Sequence, residues 1–135
     1  MDKVNKKVKG DIAELAIAKR LIELGYNVLF PYGENQRYDV VAEKGSRFIR
    51  VQVKYCTPKN GVLEINCRSS NNWSVLHYTA KEIDILAAYN PINGETYFIP
   101  SSEINYSSFK VRTVPTKNNQ ILKINFAENF KEPRL

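Results

Sequence analysis

The sequence predicts an α/β fold with a mixed β-sheet flanked by helices, and three observations carry that prediction. An amphipathic helical stretch opens the chain, a strand near the middle alternates apolar and polar residues, and a later apolar run has the length of a buried strand. At 135 residues with 43% hydrophobic content the chain can fill one core. Residues 1–135 are therefore read as a single domain, with a basic N-terminal arm over 1–9 and a frayed tail over 127–135.

In chain order, Ile12, Leu15, Ala16, Ala18, Leu21 and Ile22 recur at helical spacing within 10–24, and Gly25 is the stop. Residues 27–30 read as a short strand and 31–37 (PYGENQR) as a loop. A second strand covers 38–43, and Lys44-Gly45-Ser46 turns it into a third over 47–56. In that third strand Ile49, Val51 and Val53 point one way and Arg50, Gln52 and Lys54 the other. One face is core; the other is available for chemistry.

Lys59-Asn60-Gly61 reads as a three-residue hairpin loop with Gly61 left-handed, leading into a fourth strand over 62–68. In that register Pro58 faces Val62, Asn66 lies opposite Lys54 and Arg68 opposite Gln52, so Leu63, Ile65 and Cys67 share the face of Val51 and Val53. A two-residue Asn-Gly turn is set aside because it would carry those apolar residues to the polar face. Residues 69–77 read as a loop before a capping box, Thr79 with Glu82. The apolar run 85–89 suits a buried strand, which Asn93-Gly94 turns into a hairpin with 96–99. Segments 109–114 and 121–126 read as edge strands.

A formal charge of +6 and a pI near 9.3 favour an anionic partner, because Lys and Arg that neutralise phosphates release counterions. No apolar run spans a bilayer, and the Lys-rich start MDKVNKKVKG lacks the apolar stretch of a signal peptide. No membrane partner is expected, and the location expected is cytoplasmic. Two cysteines, Cys56 and Cys67, with one histidine, His77, exclude a disulfide framework and a Cys/His zinc site, so free thiols are expected.

The residues that carry chemistry are Glu14 on the helix, Asp39 at the start of the second strand, and Gln52 and Lys54 on the third. With 44–47 as the turn, Asp39 sits opposite Gln52, and Asp39, Gln52 and Lys54 converge on one face. Glu14, at the border of the apolar stripe, emerges beside the sheet. A carboxylate and an amide oxygen can hold Mg²⁺ with its waters, and a nearby ammonium can stabilise charge on a phosphate or orient the attacking water.

On these residues the chain resembles the PD-(D/E)XK nuclease superfamily over about residues 7–100. Lys9-Gly10 followed by Glu14 is similar to the opening helix of archaeal Holliday junction resolvases. Residues 33–39 (GENQRYD) and 50–55 (RVQVKY) are similar to the branch that includes a group I intron homing endonuclease. The resemblance implies a restriction-endonuclease-like core and Mg²⁺-dependent phosphodiester hydrolysis, with Mn²⁺ able to substitute. It makes Glu14 an accessory acid, Asp39 the principal metal ligand and Lys54 the catalytic lysine. Gln52 departs from the pattern, which has Glu or Asp there; an amide supplies no negative charge, so one metal is expected rather than two.

Around this centre the candidate DNA contacts are Lys9, Arg37, Arg50, Arg68 and Trp73, the cations for phosphates and Trp73 either for stacking on an unpaired base or for capping the core. Glu34 reads as a surface charge, His77 as a partner of the local backbone, and Tyr78 and Tyr89 as packing residues. The function expected is a metal-dependent DNA endonuclease, structure-selective like a Holliday junction resolvase, acting on branched DNA as a homodimer, with a tetramer as the other assembly. The alternatives are a sequence-specific homing or restriction-type endonuclease and a catalytically silent DNA-binding module.

Overall fold

The computed structural model describes residues 4–70, 75–77, 82–104, 108–116, 118 and 124–134. Helix α1 (Lys6–Glu23) begins four residues before the expected start at residue 10, because Asn5 caps it and accepts from the Val8 N–H at 2.9 Å. The expected basic arm is therefore helix from Lys6 onward. Its buried stripe is Ala13, Ile17, Ala18 and Leu21, rotated from the expected one, while Leu15 and Ile22 are 65% and 61% exposed. The helix carries two apolar stripes on opposite sides. The sheet takes the side on which Ala13 and Ala18 admit close approach and Ile17 and Leu21 fill the space beside them.

The strands are β1 (Asn27–Leu29), β2 (Val40–Lys44), β3 (Arg47–Tyr55), β4 (Val62–Asn66), β5 (Arg68–Ser70), β6 (Val75–His77), β7 (Ile85–Tyr89), β8 (Thr96–Pro100) and β9 (Ser108–Arg112). Five of them form one sheet in the order β1-β2-β3-β7-β8, antiparallel except for the parallel β3–β7 pair. Both faces of that pair are covered, as parallel strands require. Val51, Val53, Ile85 and Ala87 pack beneath α1 on one face; Leu86, Ala88, Tyr97 and Ile99 meet Leu63, Ile65, Cys67 and Val111 on the other.

The third and fourth strands do not form the expected hairpin. Asn60 and Gly61 are a two-residue turn, φ 53° and 76°, closed by reciprocal backbone bonds of 2.9 and 3.0 Å between Lys59 and Val62. Both central residues are left-handed, as a type I′ turn demands. The objection to this turn assumed that β4 stays in the sheet of β3. Instead β7 occupies that edge, β4 leaves the sheet to pair with β9, and Leu63 and Ile65 enter the core on the face opposite Val51 and Val53. Asn66 consequently lies opposite Ser108 rather than Lys54, and Arg68 opposite His77 rather than Gln52.

Other elements differ more modestly. The expected 69–77 loop contains the paired strands β5 and β6, and β9 stops at Arg112. Of the edge strand expected over 121–126, residues 121–123 lie outside the described residues, and Phe126 makes a single parallel bridge to Arg112. Ala127–Phe130 is a 3-10 turn whose Phe130 is 4% exposed and meets Phe109 edge-on at 5.5 Å, so the start of the expected frayed tail is docked. Tyr78 and Thr79 lie outside the described residues. Cys56 and Cys67 are buried free thiols, as expected. Among the described residues no helix is long and apolar enough to cross a membrane.

Candidate active site

The β2–β3 register puts Val40 opposite Val51, and the Asp39 N–H extends the ladder by donating to the Val51 carbonyl at 2.8 Å. Asp39 therefore stands beside Gln52, and its Oδ2 is held by the Val53 N–H at 2.9 Å. Val51 and Val53 are 0% and 8% exposed beneath α1, while Gln52 and Lys54 alternate to the opposite face, half-buried. Side-chain alternation thus works as the sequence predicts.

Electrostatics tie Glu14 and Lys54 to Asp39. Burial raises the pKa of Asp39, with the Val53 N–H and the Lys54 charge acting against it. Burial also raises Glu14, reinforced by the charges of Asp39 and Asp11 and opposed by Lys7. Two carboxylates close enough to repel one another, with a lysine alongside, form a site that a cation would relax. Among the described residues no group of three His, Cys, Asp or Glu is arranged to hold a metal. Carboxylate and amide oxygens are donors of the type a hard divalent ion takes, so Glu14, Asp39 and Gln52 are the residues that would hold one. The Lys54 charge also reaches the two thiols: burial pushes both Cys56 and Cys67 up to about 11 against it. At neutral pH they stay protonated, which removes them as nucleophiles.

The candidate DNA contacts divide. Lys9 lies 5.6 Å above the Tyr55 ring, at the Lys54 end of β3, and Tyr55 meets Tyr89 edge-on at 5.8 Å. Tyr89 is thereby a packing residue. Arg37 is 3.5 Å from Glu82 Oε2, an ion-pair separation without a hydrogen bond. Arg50 is engaged by Asp84: the carboxylate accepts from its backbone N–H at 2.8 Å, Nε at 3.1 Å and Nη2 at 3.2 Å. Against the effect of burial, these bonds hold Asp84 below the usual carboxylate range. The pair clips β3 to the start of β7 and stands roughly 13 Å along the strand from Lys54. Arg68 belongs to the β5–β6 pair, apart from the register of Gln52, and Trp73 lies outside the described residues. Glu34 is exposed. His77 is described only as backbone, opposite Arg68. The Asp84 clip escaped the sequence reading because nothing local links Arg50 to an acid 34 residues away; the only signal was an acid set immediately before an apolar strand.

A family profile described as PD-(D/E)XK endonuclease matches residues 4–133. Among solved structures the chain is similar to the bacterial homing endonuclease I-Ssp6803I, at 27% identity and a TM-score of 0.74, over 95% of this chain and 89% of that one. That likeness makes the fold restriction-endonuclease-like. The chain is also similar to Hjc, a Holliday junction resolvase from the archaeal hyperthermophile Archaeoglobus fulgidus, at 18% identity and a TM-score of 0.47, over 77% of this chain and 84% of that one. No curated protein matches the chain.

Proposed function

This chain belongs to the PD-(D/E)XK endonuclease family, and on that premise we propose that it hydrolyses DNA with a divalent metal at Glu14, Asp39, Gln52 and Lys54. The observation that supports this reading is Asp39 beside Gln52, fixed by the Val53 N–H, with the Lys54 charge felt at Asp39 and the Asp39 charge felt at Glu14. A divalent ion there, Mg²⁺ or Mn²⁺, would polarise the scissile phosphate and lower the pKa of a bound water. Glu14, Asp39 and the Gln52 amide oxygen would hold that ion. Lys54 balances charge on the scissile phosphate or orients the water, and Lys9, stacked on Tyr55, tracks a neighbouring phosphate.

Site-specific cutting of duplex DNA is the favoured substrate reading, because the likeness to a homing endonuclease extends over 95% of the chain. A homodimer supplies one centre per strand. Its contact surface is the outer side of α1, where Val8, Leu15 and Ile22 recur every seven residues and are 42%, 65% and 61% exposed.

The test is a side-by-side assay in Mg²⁺ of a randomised linear duplex, a four-way junction and single strands, with chelator as the blank. Cutting of both strands within one duplex sequence is expected. Preferential cutting of the junction would favour structure selection, and no cutting anywhere would leave a DNA-binding module.

A further inference from the structure

We propose that the β4–β9 ribbon reads base edges in the DNA major groove and so sets where the enzyme cuts, an inference that rests on the DNA-endonuclease reading above. The two strands pair Val62 with Arg112, Glu64 with Lys110 and Asn66 with Ser108. Directly opposed residues share a face, so these six project together, while Leu63, Ile65, Phe109 and Val111 point inward to the core cluster. Glu64, Asn66 and Lys110 are exposed.

The chemistry of the outer face selects the ligand. A groove of about 650 Å³ runs over it, lined by Thr57, Lys59, Glu64, Asn66, Ser108 and Lys110. A small-molecule pocket is lined mostly by apolar and aromatic groups, and a single-strand platform by aromatics; Val62 is the one apolar side chain on this lining. What remains is a row of hydrogen-bonding groups of differing character. In the major groove a carboxylate accepts from the cytosine amino group, an asparagine pairs with adenine and a lysine donates to guanine. A two-stranded ribbon fits that groove, and five residues span about 17 Å, the length of roughly five base pairs.

Position supplies the second argument. The ribbon follows β3 directly, and through Leu63, Ile65 and Cys67 it packs in one cluster with Leu86 and Ala88, the β7 residues that pair with Gln52 and Lys54. A duplex with one phosphate at Lys54 can therefore run its major groove along the ribbon toward the Asn60-Gly61 turn. Arg112 is turned aside, donating to the Val114 and Pro115 carbonyls at 3.1 and 3.3 Å, which leaves Glu64 and Lys110 as the central readers.

The experiment is selection of bound sequences from randomised duplexes in Ca²⁺, with wild type, Lys110→Ala and Glu64→Gln. Wild type is expected to enrich a motif, and Lys110→Ala to lose tenfold or more of its preference at one or two adjacent positions only. Glu64→Gln should change the preferred base at a neighbouring position, since an amide replaces an acceptor-only carboxylate; a misfolded variant could not produce a new letter. The inference is overturned if wild type enriches no motif, or if both variants enrich the wild-type motif with unchanged weights. Cleavage in Mg²⁺ is read on the same preparations. A wild type that enriches the motif, with the variants shifting it, but cuts nothing upholds the ribbon inference while removing the endonuclease reading.

Discussion

Asp39 combines burial, one backbone hydrogen bond and charges of both signs. Its pKa and that of Glu14 are raised in the fold, so the ionised forms cost stability there. Their stabilising contribution is complete below the unfolded carboxylate pKa and is lost as pH rises through the higher folded values. Near neutral pH without metal, the site is therefore a local weakness. Asp39→Asn retains an oxygen for the Val53 N–H and removes the repulsion, so in chelator its Tm should rise by on the order of a few °C. Mg²⁺ should then raise the Tm of wild type and leave the variant unmoved, and the metal effect should fade as pH falls, beginning at pH values above the ordinary carboxylate range because both pKa values are raised. Calorimetric scans with and without metal check this; a lowered Tm and an equal Mg²⁺ response in both proteins would detach Asp39 from the site. Residues of this kind were legible in the sequence, because strand alternation alone decides that Gln52 and Lys54 share a face while Val51 and Val53 do not. Arg50 was not, since the exposed strand cation of the sequence is held by Asp84 in the fold.

Among the elements, what is local was readable and what depends on choosing a partner was not. The β2–β3 hairpin follows from one turn and one alternation pattern. The fate of β4 depends on β7, which arrives 30 residues after β3 and takes its edge in parallel, a pairing that no local signal announces. Helix α1 was ambiguous for a different reason: both of its sides are apolar, and only the shape of the sheet decides which is buried. The Asn60-Gly61 turn is where the ribbon can be tested as an element. Gly61 has φ +76°, and a Cβ there would overlap Val114 Cγ2, whereas Gly45 has φ +63° in open space. Gly61→Ala should destabilise by about 2–4 kcal/mol, the left-handed penalty plus a steric one, and Gly45→Ala by about 1–2 kcal/mol. Urea denaturation of the two variants measures the difference; equal losses would contradict the close contact between Gly61 and the segment after β9.

At the scale of the whole molecule, a five-stranded sheet has α1 on one face and a β-ribbon layer on the other, and Asp39 stands beside Gln52 in its β2–β3 hairpin. The sheet class and its first three strands were predicted from sequence; the ribbon layer was not, because it is built from segments more than 40 residues apart. The surplus of positive charge suits a polyanion, and the proposed activity is hydrolysis of that polyanion at one small centre. The most direct measurement of that assignment is to sequence the cut ends of a randomised duplex library in Mg²⁺ with wild type, Asp39→Asn and Lys54→Ala. Wild type should yield defined ends, and each variant should lose at least about 10²-fold in rate while still retaining the library on a filter. Unchanged ends and rates in both variants would contradict the placement of the catalytic centre at Asp39 and Lys54.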